Sequence, residues 1–178
     1  MNAQRPRYAP SRRALHWLMF LAVVAAFVFI EGRENFDRGT PARLAMVQAH
    51  FWTGLAILAL MLPRLLLAFS RPAPAVSPPL PAWQAVPAKA LHLLLYAMLV
   101  AQPLLGLFTA WTDGKDIFIP FTSVALPALM AESESLAHQF EDIHKLVGDA
   151  FYWVVGLHVL AALYHHFLRR DDTLRRMT

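Results

Sequence analysis

The chain has 178 residues, 57% hydrophobic and only 16% charged, with no cysteine and a formal net charge of +4. A soluble domain carries about 45–50% apolar and about 25% charged residues, so this balance fits a surface that faces lipid rather than water. Without cysteine there is no disulfide, thiolate zinc site, iron–sulfur cluster or thioether-attached haem, and any tightly held metal relies on nitrogen or oxygen ligands. The basic residues cluster beside hydrophobic runs and at the chain ends, which membrane topology explains and nucleic-acid binding does not.

Four apolar stretches follow one another, over residues 14–30, 44–69, 90–111 and 144–168. Each can cross a hydrocarbon core about 30 Å thick at about 1.5 Å per residue. The first has the basic flank of a secretion signal (Arg5, Arg7, Arg12, Arg13). Its end, Phe27-Val28-Phe29-Ile30-Glu31, offers no small-x-small cleavage site, so it reads as a retained helix. Pro63 and Pro103 sit inside spans two and three, where neighbouring membrane helices accommodate the kink. Residues 71–87 hold Pro72, Pro74, Pro78, Pro79, Pro81 and Pro87 and read as an extended connector. The loop over 113–142 is expected to carry a short helix around 132–140.

The expected fold is all-α, an integral membrane four-helix bundle with one transmembrane domain over residues 1–178. Four crossings put both termini on one face. Eleven of the 16 lysines and arginines lie on that face, in the N-tail, the Pro-rich connector with its flanks, and the C-tail, while ten of the 12 acids lie on the other. By the positive-inside rule both termini are cytoplasmic. Trp17, Trp52, Trp83, Trp111 and Trp153 fall mostly near span boundaries, as interfacial anchors do.

An ionisable residue within a span is costly and points to function. His144 and His158 lie in span four, fourteen residues apart. That is almost four turns, so both rings emerge on nearly one helix face, about 21 Å apart along the axis. One metal ion cannot bridge them, but two sites can use them. By depth His158 pairs with His16 at the cytoplasmic start of span one, and His144 with His50 at the periplasmic start of span two. Two histidines facing each other across a bundle suit six-coordinate haem iron, so two b haems stacked across the membrane are the economical reading. Gly54, Gly106, Gly148 and Gly156 leave room for a porphyrin to approach the backbone. The plainer alternatives are interhelical hydrogen bonds through the histidines, zinc near Glu141, Asp142 and His144, or a surface site through His138. His92, His165 and His166 belong to the cytoplasmic span ends, where interfacial polar residues are common.

Several segments together resemble the bacterial cytochrome b561 family: His16-Trp17 after the basic tail, Gln48-Ala49-His50, Arg64-Leu65-Leu66-Leu67, and His144 through Gly156-Leu157-His158 to Tyr164-His165-His166 and Asp172-Thr173-Leu174-Arg175-Arg176-Met177. The likeness covers nearly the whole chain and is strongest to the short members that act as superoxide oxidases, passing electrons from superoxide to ubiquinone. It implies a multi-pass protein of the bacterial inner membrane. It also implies that His16 and His158 ligate a cytoplasmic-side haem b, and His50 and His144 a periplasmic-side one. Ubiquinone is then the acceptor near the cytoplasmic face, with His165, at the family's position, as its contact.

Arg64 and Arg71 can pair with haem propionates or orient the quinone, since arginine's planar fork suits carboxylates. Bis-histidine ligation leaves no open iron position, so transfer is outer-sphere. An anionic donor would be drawn to the periplasmic cluster of Arg33, Arg38, Arg43, Lys115 and Lys145. A second reading makes the chain an electron-transfer subunit or partner of another redox protein, with the acidic periplasmic loops as a docking face. A third is a membrane protein without redox function, its histidines serving packing or metal transport.

Overall fold

A computed structural model describes residues 7–70 and 72–178, so Arg5 and Arg71 lie outside the described residues. Four long helices carry the chain: α1 (Pro10–Gly32), α2 (Pro41–Ser70), α3 (Ala82–Thr112) and α4 (Glu134–Tyr164). All four are long and apolar enough to cross a membrane. The only extended pairing among the described residues is an isolated bridge between Phe118 and Ala125. The fold is therefore the expected all-helical membrane bundle. Leu62, Leu66, Phe69, Leu146 and Trp153 stand exposed on its outside. A span that is apolar all round meets lipid there.

The helices run past the apolar windows, and two loop expectations change. α3 starts at Ala82, so the extended connector ends at Pro81 and Pro87 lies within the helix. A proline removes one N–H from the ladder, here the partner of the Trp83 carbonyl, and near a helix start few bonds depend on it. The separate short helix expected around 132–140 is the opening of α4. Ser133 caps it by accepting the Leu136 N–H at 3.5 Å, and Glu134 suits the positive helix end. Hydropathy fades in these turns because they are polar, while the capped backbone continues regardless.

α1 packs on α2, α3 packs on α4, and α2 joins α3. Among the described residues, no Cα of α4 comes within 8 Å of α1 or α2. The bundle is thus two hairpins with a groove between them. Side chains fill it at mid-depth, where Met19, Val23, Ile57, Met61, Met98, Leu99 and Phe151 form the buried core. Phe27 of α1 reaches Phe151 and Tyr152 of α4, with ring centroids 6.2 and 4.0 Å apart.

Each end of the groove is covered. At one end the α3–α4 loop docks on α2: Gln48 Nε2 donates to the Asp116 carbonyl at 2.8 Å, the Phe118 N–H donates to Gln48 Oε1 at 2.9 Å, and Trp52 Nε1 donates to the Phe118 carbonyl at 2.7 Å. At the other end the C-terminal tail ties the connector to the N-tail. The Ser77 N–H donates to Asp172 Oδ1 at 2.9 Å, Arg176 bonds the Pro74 carbonyl, the Tyr8 N–H donates to the Arg176 carbonyl at 3.1 Å, and Trp17 Nε1 donates to the Met177 carbonyl at 2.9 Å.

Asp171, Asp172 and Arg176 are all buried in this cap. Burial pushes the Asp171 carboxyl up, but contacts from Thr173 and His165 outweigh it and hold the group below its ordinary value of 3.8. A depressed carboxylate stabilises the fold above its unfolded pKa, and the contribution is lost as pH falls through the folded value. Amide exchange at Thr173, whose N–H donates to Asp171 Oδ1 at 2.9 Å, should therefore stay protected from neutrality down to pH 3.8 and lose protection below it. An Asp171→Ala variant should lack protection at every pH.

Candidate functional site

α4 and the turn that follows it carry a stripe at intervals of seven residues: His144, Phe151, His158 and His165. Seven residues fall about 20° short of two full turns, so all four side chains leave the helix on one side. Phe151 belongs to the mid-groove core, and a histidine stands two turns to either side of it.

At the loop end His144 meets His50 of α2, with ring centroids 6.2 Å apart and planes at 82°. His50 Nδ1 donates to the Ala26 carbonyl at 2.8 Å, and His144 Nδ1 donates to the Gln102 carbonyl at 3.1 Å. A carbonyl only accepts, so both rings carry their proton on Nδ1 and leave the Nε2 lone pair for a ligand. Gln102 also donates its side-chain amide to the His144 carbonyl at 2.8 Å, gripping that residue twice. A Cβ on Gly106 would stand 3.0 Å from His144 Cε1, so any larger residue there would press the ring aside by a few tenths of an ångström or more. A cavity of about 30 Å³ between the two rings is walled by Phe51, Gly54, Leu55, Pro103, Leu107 and Ile117. At Gly54 a Cβ would meet nothing within 4 Å.

At the termini end His158 meets His16 of α1, again with ring centroids 6.2 Å apart, planes at 70°. This pair is held differently. Arg64 Nη2 donates to His16 Nδ1 at 3.0 Å, while Arg64 Nε and Nη1 are buried without a partner. The guanidinium lies over the Tyr96 ring at 5.7 Å. His92 of α3 joins the group, its ring 5.3 Å from that of His158 and its Nδ1 on its own helix's Ala88 carbonyl at 2.6 Å. A Cβ on Gly156 would also meet open space.

One step further along the stripe, His165 opens a π-helical turn, His165–Arg169, that ends at Arg170 in the left-handed conformation (φ 57, ψ 32). A wide turn of this kind recurs at functional sites, and a left-handed non-glycine residue costs about 1–2 kcal/mol. The reversal brings Asp171 back so that its Oδ2 accepts from His165 Nδ1 at 2.6 Å, with Arg169 Nε 3.1 Å from the same oxygen. Arg71, the other expected quinone contact, lies outside the described residues.

Beside the loop-end pair a larger cavity, about 420 Å³, is lined by Thr40, Arg43, Gln48, Lys115, Asp116 and Phe118 among others, and shares Phe51 with the cavity between the rings. Arg43 is anchored to Glu34 at 3.0 Å and to the Arg33 and Phe36 carbonyls, both at 3.0 Å, and Lys115 pairs with Asp113. Arg33 is bound to Glu34 at 2.9 Å, and Lys145 is paired with Glu141 at 2.7 Å. Among the described residues no three or more His, Asp or Glu side chains converge on a metal-sized site, and His138 faces Glu134 at 3.9 Å on the surface.

The sequence profile of the prokaryotic cytochrome b561 family matches residues 7–178. The chain belongs to that family. It is 31% identical to Cytochrome b561 homolog 1 of Escherichia coli over 96% of both chains. It is 33% identical to the Probable superoxide oxidase CybB of Yersinia pestis over 96% of this chain and 95% of that one, and 27% identical to Cytochrome b561 homolog 2 of Escherichia coli over 96% and 90%. The protein is a multi-pass bacterial membrane protein of a redox family, and the family implies haem b.

The residues present fit that group. Two imidazoles bound to one metal ion by bonds of about 2 Å hold their ring centroids about 6 Å apart, the spacing found in both pairs. At the loop end the free Nε2 atoms and the open space at Gly54 match a bound macrocycle. At the termini end the unpartnered Arg64 nitrogens are what an anionic propionate would satisfy.

The four histidines meet in the two pairs expected from depth, and His92 lies at the termini end as expected, while Gln102 and Asp171 are additions of the structure. Gln102 was visible as an amide inside a span, and Asp171 as one of only two acids on a basic face. Gly106→Val should displace the His144 ring and lower haem per chain, measured by the pyridine haemochrome, and Gly54→Val, which meets no protein atom within 4 Å, should lower it as well by filling the space a macrocycle would take, without unfolding the protein.

Proposed function

We propose that the chain is one di-haem transmembrane domain that carries electrons from superoxide to ubiquinone across the bacterial inner membrane, with both termini cytoplasmic. His50 and His144 would hold the periplasmic-side haem b and His16 and His158 the cytoplasmic-side one. The observation that carries this reading is the repetition of one ring spacing, 6.2 Å, at two depths of a single groove. Packing or hydrogen bonding has no reason to repeat it. The uneven distribution of basic residues supports the orientation, and the Yersinia pestis relative's name supports the donor.

Bound at these positions, haem b supplies reversible one-electron storage on each side of the membrane, which matches a one-electron donor to a two-electron acceptor. The chain's own residues do the rest. The Ala26 and Gln102 carbonyls fix the tautomer and orientation of His50 and His144. Met61, Met98, Leu99 and Phe151 exclude water between the two sites. Arg64 would offer its free nitrogens to a propionate, and with the guanidinium drawn off His16 Nδ1 that ring would carry its proton there and leave Nε2 for the iron.

On the periplasmic side, Arg43 and Lys115 line the cavity that adjoins the His50 site and would concentrate a small anion there. The acidic loops around them limit the attraction to this local opening. On the cytoplasmic side, His165 would bond a quinone carbonyl, and Arg71 stays a proposed second contact.

The test is a reduced-minus-oxidised spectrum of the purified protein with haem counted per chain, then a pulse of superoxide. Two low-spin haems that the pulse reduces are expected, and a colourless protein would end the reading. His144→Ala or His158→Ala should each remove one low-spin haem and leave the other. Lys115→Glu should slow reduction by superoxide about tenfold at low salt, with a smaller effect at high salt; equal rates at both salts would remove the cavity from the donor's path.

A further inference from the structure

We infer that Asp171 is the positioning residue for proton delivery at the quinone site: it fixes the proton of His165 on Nδ1 and balances the positive charge His165 carries before it protonates a quinone oxygen. The inference rests on the quinone-reducing reading above and adds to it a residue, an atom and a proton route.

The geometry separates the two carboxylate oxygens. Asp171 Oδ1 accepts the N–H of Thr173, two residues on, a local turn that holds the side chain. Oδ2 is left for His165 Nδ1 at 2.6 Å and Arg169 Nε at 3.1 Å. One oxygen is structural and the other faces the histidine. The carboxylate is 1% exposed, and a charge so placed is retained only with partners that need it. His165 Nε2, on the opposite edge of the ring, has no hydrogen-bond partner among the described residues. Arg169 extends the arrangement outward: it bonds Gln84 Oε1 at the start of α3 and the Pro79 carbonyl at 2.9 Å, so the connector, α3 and the end of α4 converge on this one carboxylate. Asp172 is turned the other way, onto Ser77 and Arg176.

A quinone takes two electrons, supplied one at a time by superoxide through the membrane chain, and two protons, to give the quinol. For each proton, the Nε2–H bond of protonated His165 breaks and an O–H bond forms at a quinone oxygen. His165 is then neutral, with Nδ1–H still on Asp171, and Nε2 takes the next proton from the aqueous face. An acceptor on Nδ1 prevents the tautomer that would present Nε2 already occupied in the neutral state.

The test uses the haem-loaded protein. Ring nitrogen NMR of the reduced, diamagnetic form with labelled histidine should show neutral His165 protonated on Nδ1. In Asp171→Asn the amide can face Nδ1 as a donor while its oxygen keeps the Thr173 bond, so the tautomer should reverse. Oxidation of the pre-reduced protein by a short-chain ubiquinone should slow ten- to a hundredfold in that variant, its pH profile should change shape, and the haem spectrum should stay unchanged. Asp171→Glu should recover much of the rate. Asp172→Asn disturbs the same cap without touching His165 and should stay within about threefold of the parent.

A wild-type His165 protonated on Nε2 overturns the inference, even if the Asn variant does not assemble. So does an Asn variant with the parent's rate and pH profile, or an Asp172→Asn variant as slow as Asp171→Asn. If the unaltered reduced protein is not oxidised by quinone at all, the functional reading falls and the relay with it, whereas the other outcomes remove the relay alone.

Discussion

The arrangement depends on one register: the seven-residue stripe of α4. Because seven residues nearly complete two turns, His144, Phe151, His158 and His165 stand in a line on one side of a single helix. That line faces the groove, and everything across it is placed to meet it: His50 opposite His144, Phe27 against Phe151, His16 opposite His158. A one-residue shift along α4 would rotate the whole set by about 100° and leave four polar or bulky groups in lipid or in the α3 interface. The groove itself follows from how the hairpins pack. α1–α2 and α3–α4 are close pairs, while α4 stands off from α1 and α2, so at mid-depth side chains bridge the gap.

The two histidine pairs share a spacing but not a means of support. The loop-end rings are fixed by backbone carbonyls, which belong to the helices and move only with them. Gly106 gives the His144 ring its room, and Gln102 holds that residue by two hydrogen bonds. The termini-end ring of His16 is held by a side chain, Arg64, whose remaining nitrogens are buried and unpartnered. An unpaired cationic group in a low-dielectric interior is costly, so this end is poised to accept an anionic group and to rearrange when it does. One end is held by backbone and the other by a side chain with unpartnered nitrogens.

Much of this was legible in the sequence. Four spans follow from composition alone, and the histidine pairs follow from depth, because helix rise converts sequence position into height in the membrane. What was not legible has a physical reason in each case. Hydropathy reports lipid contact, not backbone hydrogen bonding, so the polar start of α4 at Glu134 looks like a separate helix. Proline composition carries no information on whether a helix has already begun, so Pro87 looks like part of the connector. Gln102 and His144 meet across 42 residues through a carbonyl, and backbone acceptors leave no mark on residue identity. Asp171 reaches His165 only because the chain widens into a π turn and then reverses at a left-handed Arg170, a path that regular periodicity does not contain.

The tail shows why two adjacent aspartates stand on an otherwise basic face. Each meets an arginine: Asp171 the half-buried Arg169 at 3.1 Å, Asp172 the buried Arg176 at 3.5 Å. A cap of arginines alone would repel itself and leave its guanidinium groups unpaired. With the aspartates between them, the same arginines become crosslinks, reaching Pro79 and Gln84 in one direction and Pro74 in the other. The connector has few backbone partners of its own, since its prolines lack N–H groups, so these arginines and the Ser77 bond fix where it lies. The cap over the termini end of the groove is therefore an electrostatic construction laid on an apolar bundle, and the aspartate that helps fix its position also touches His165. Positioning the connector and orienting that histidine are two consequences of one buried carboxylate.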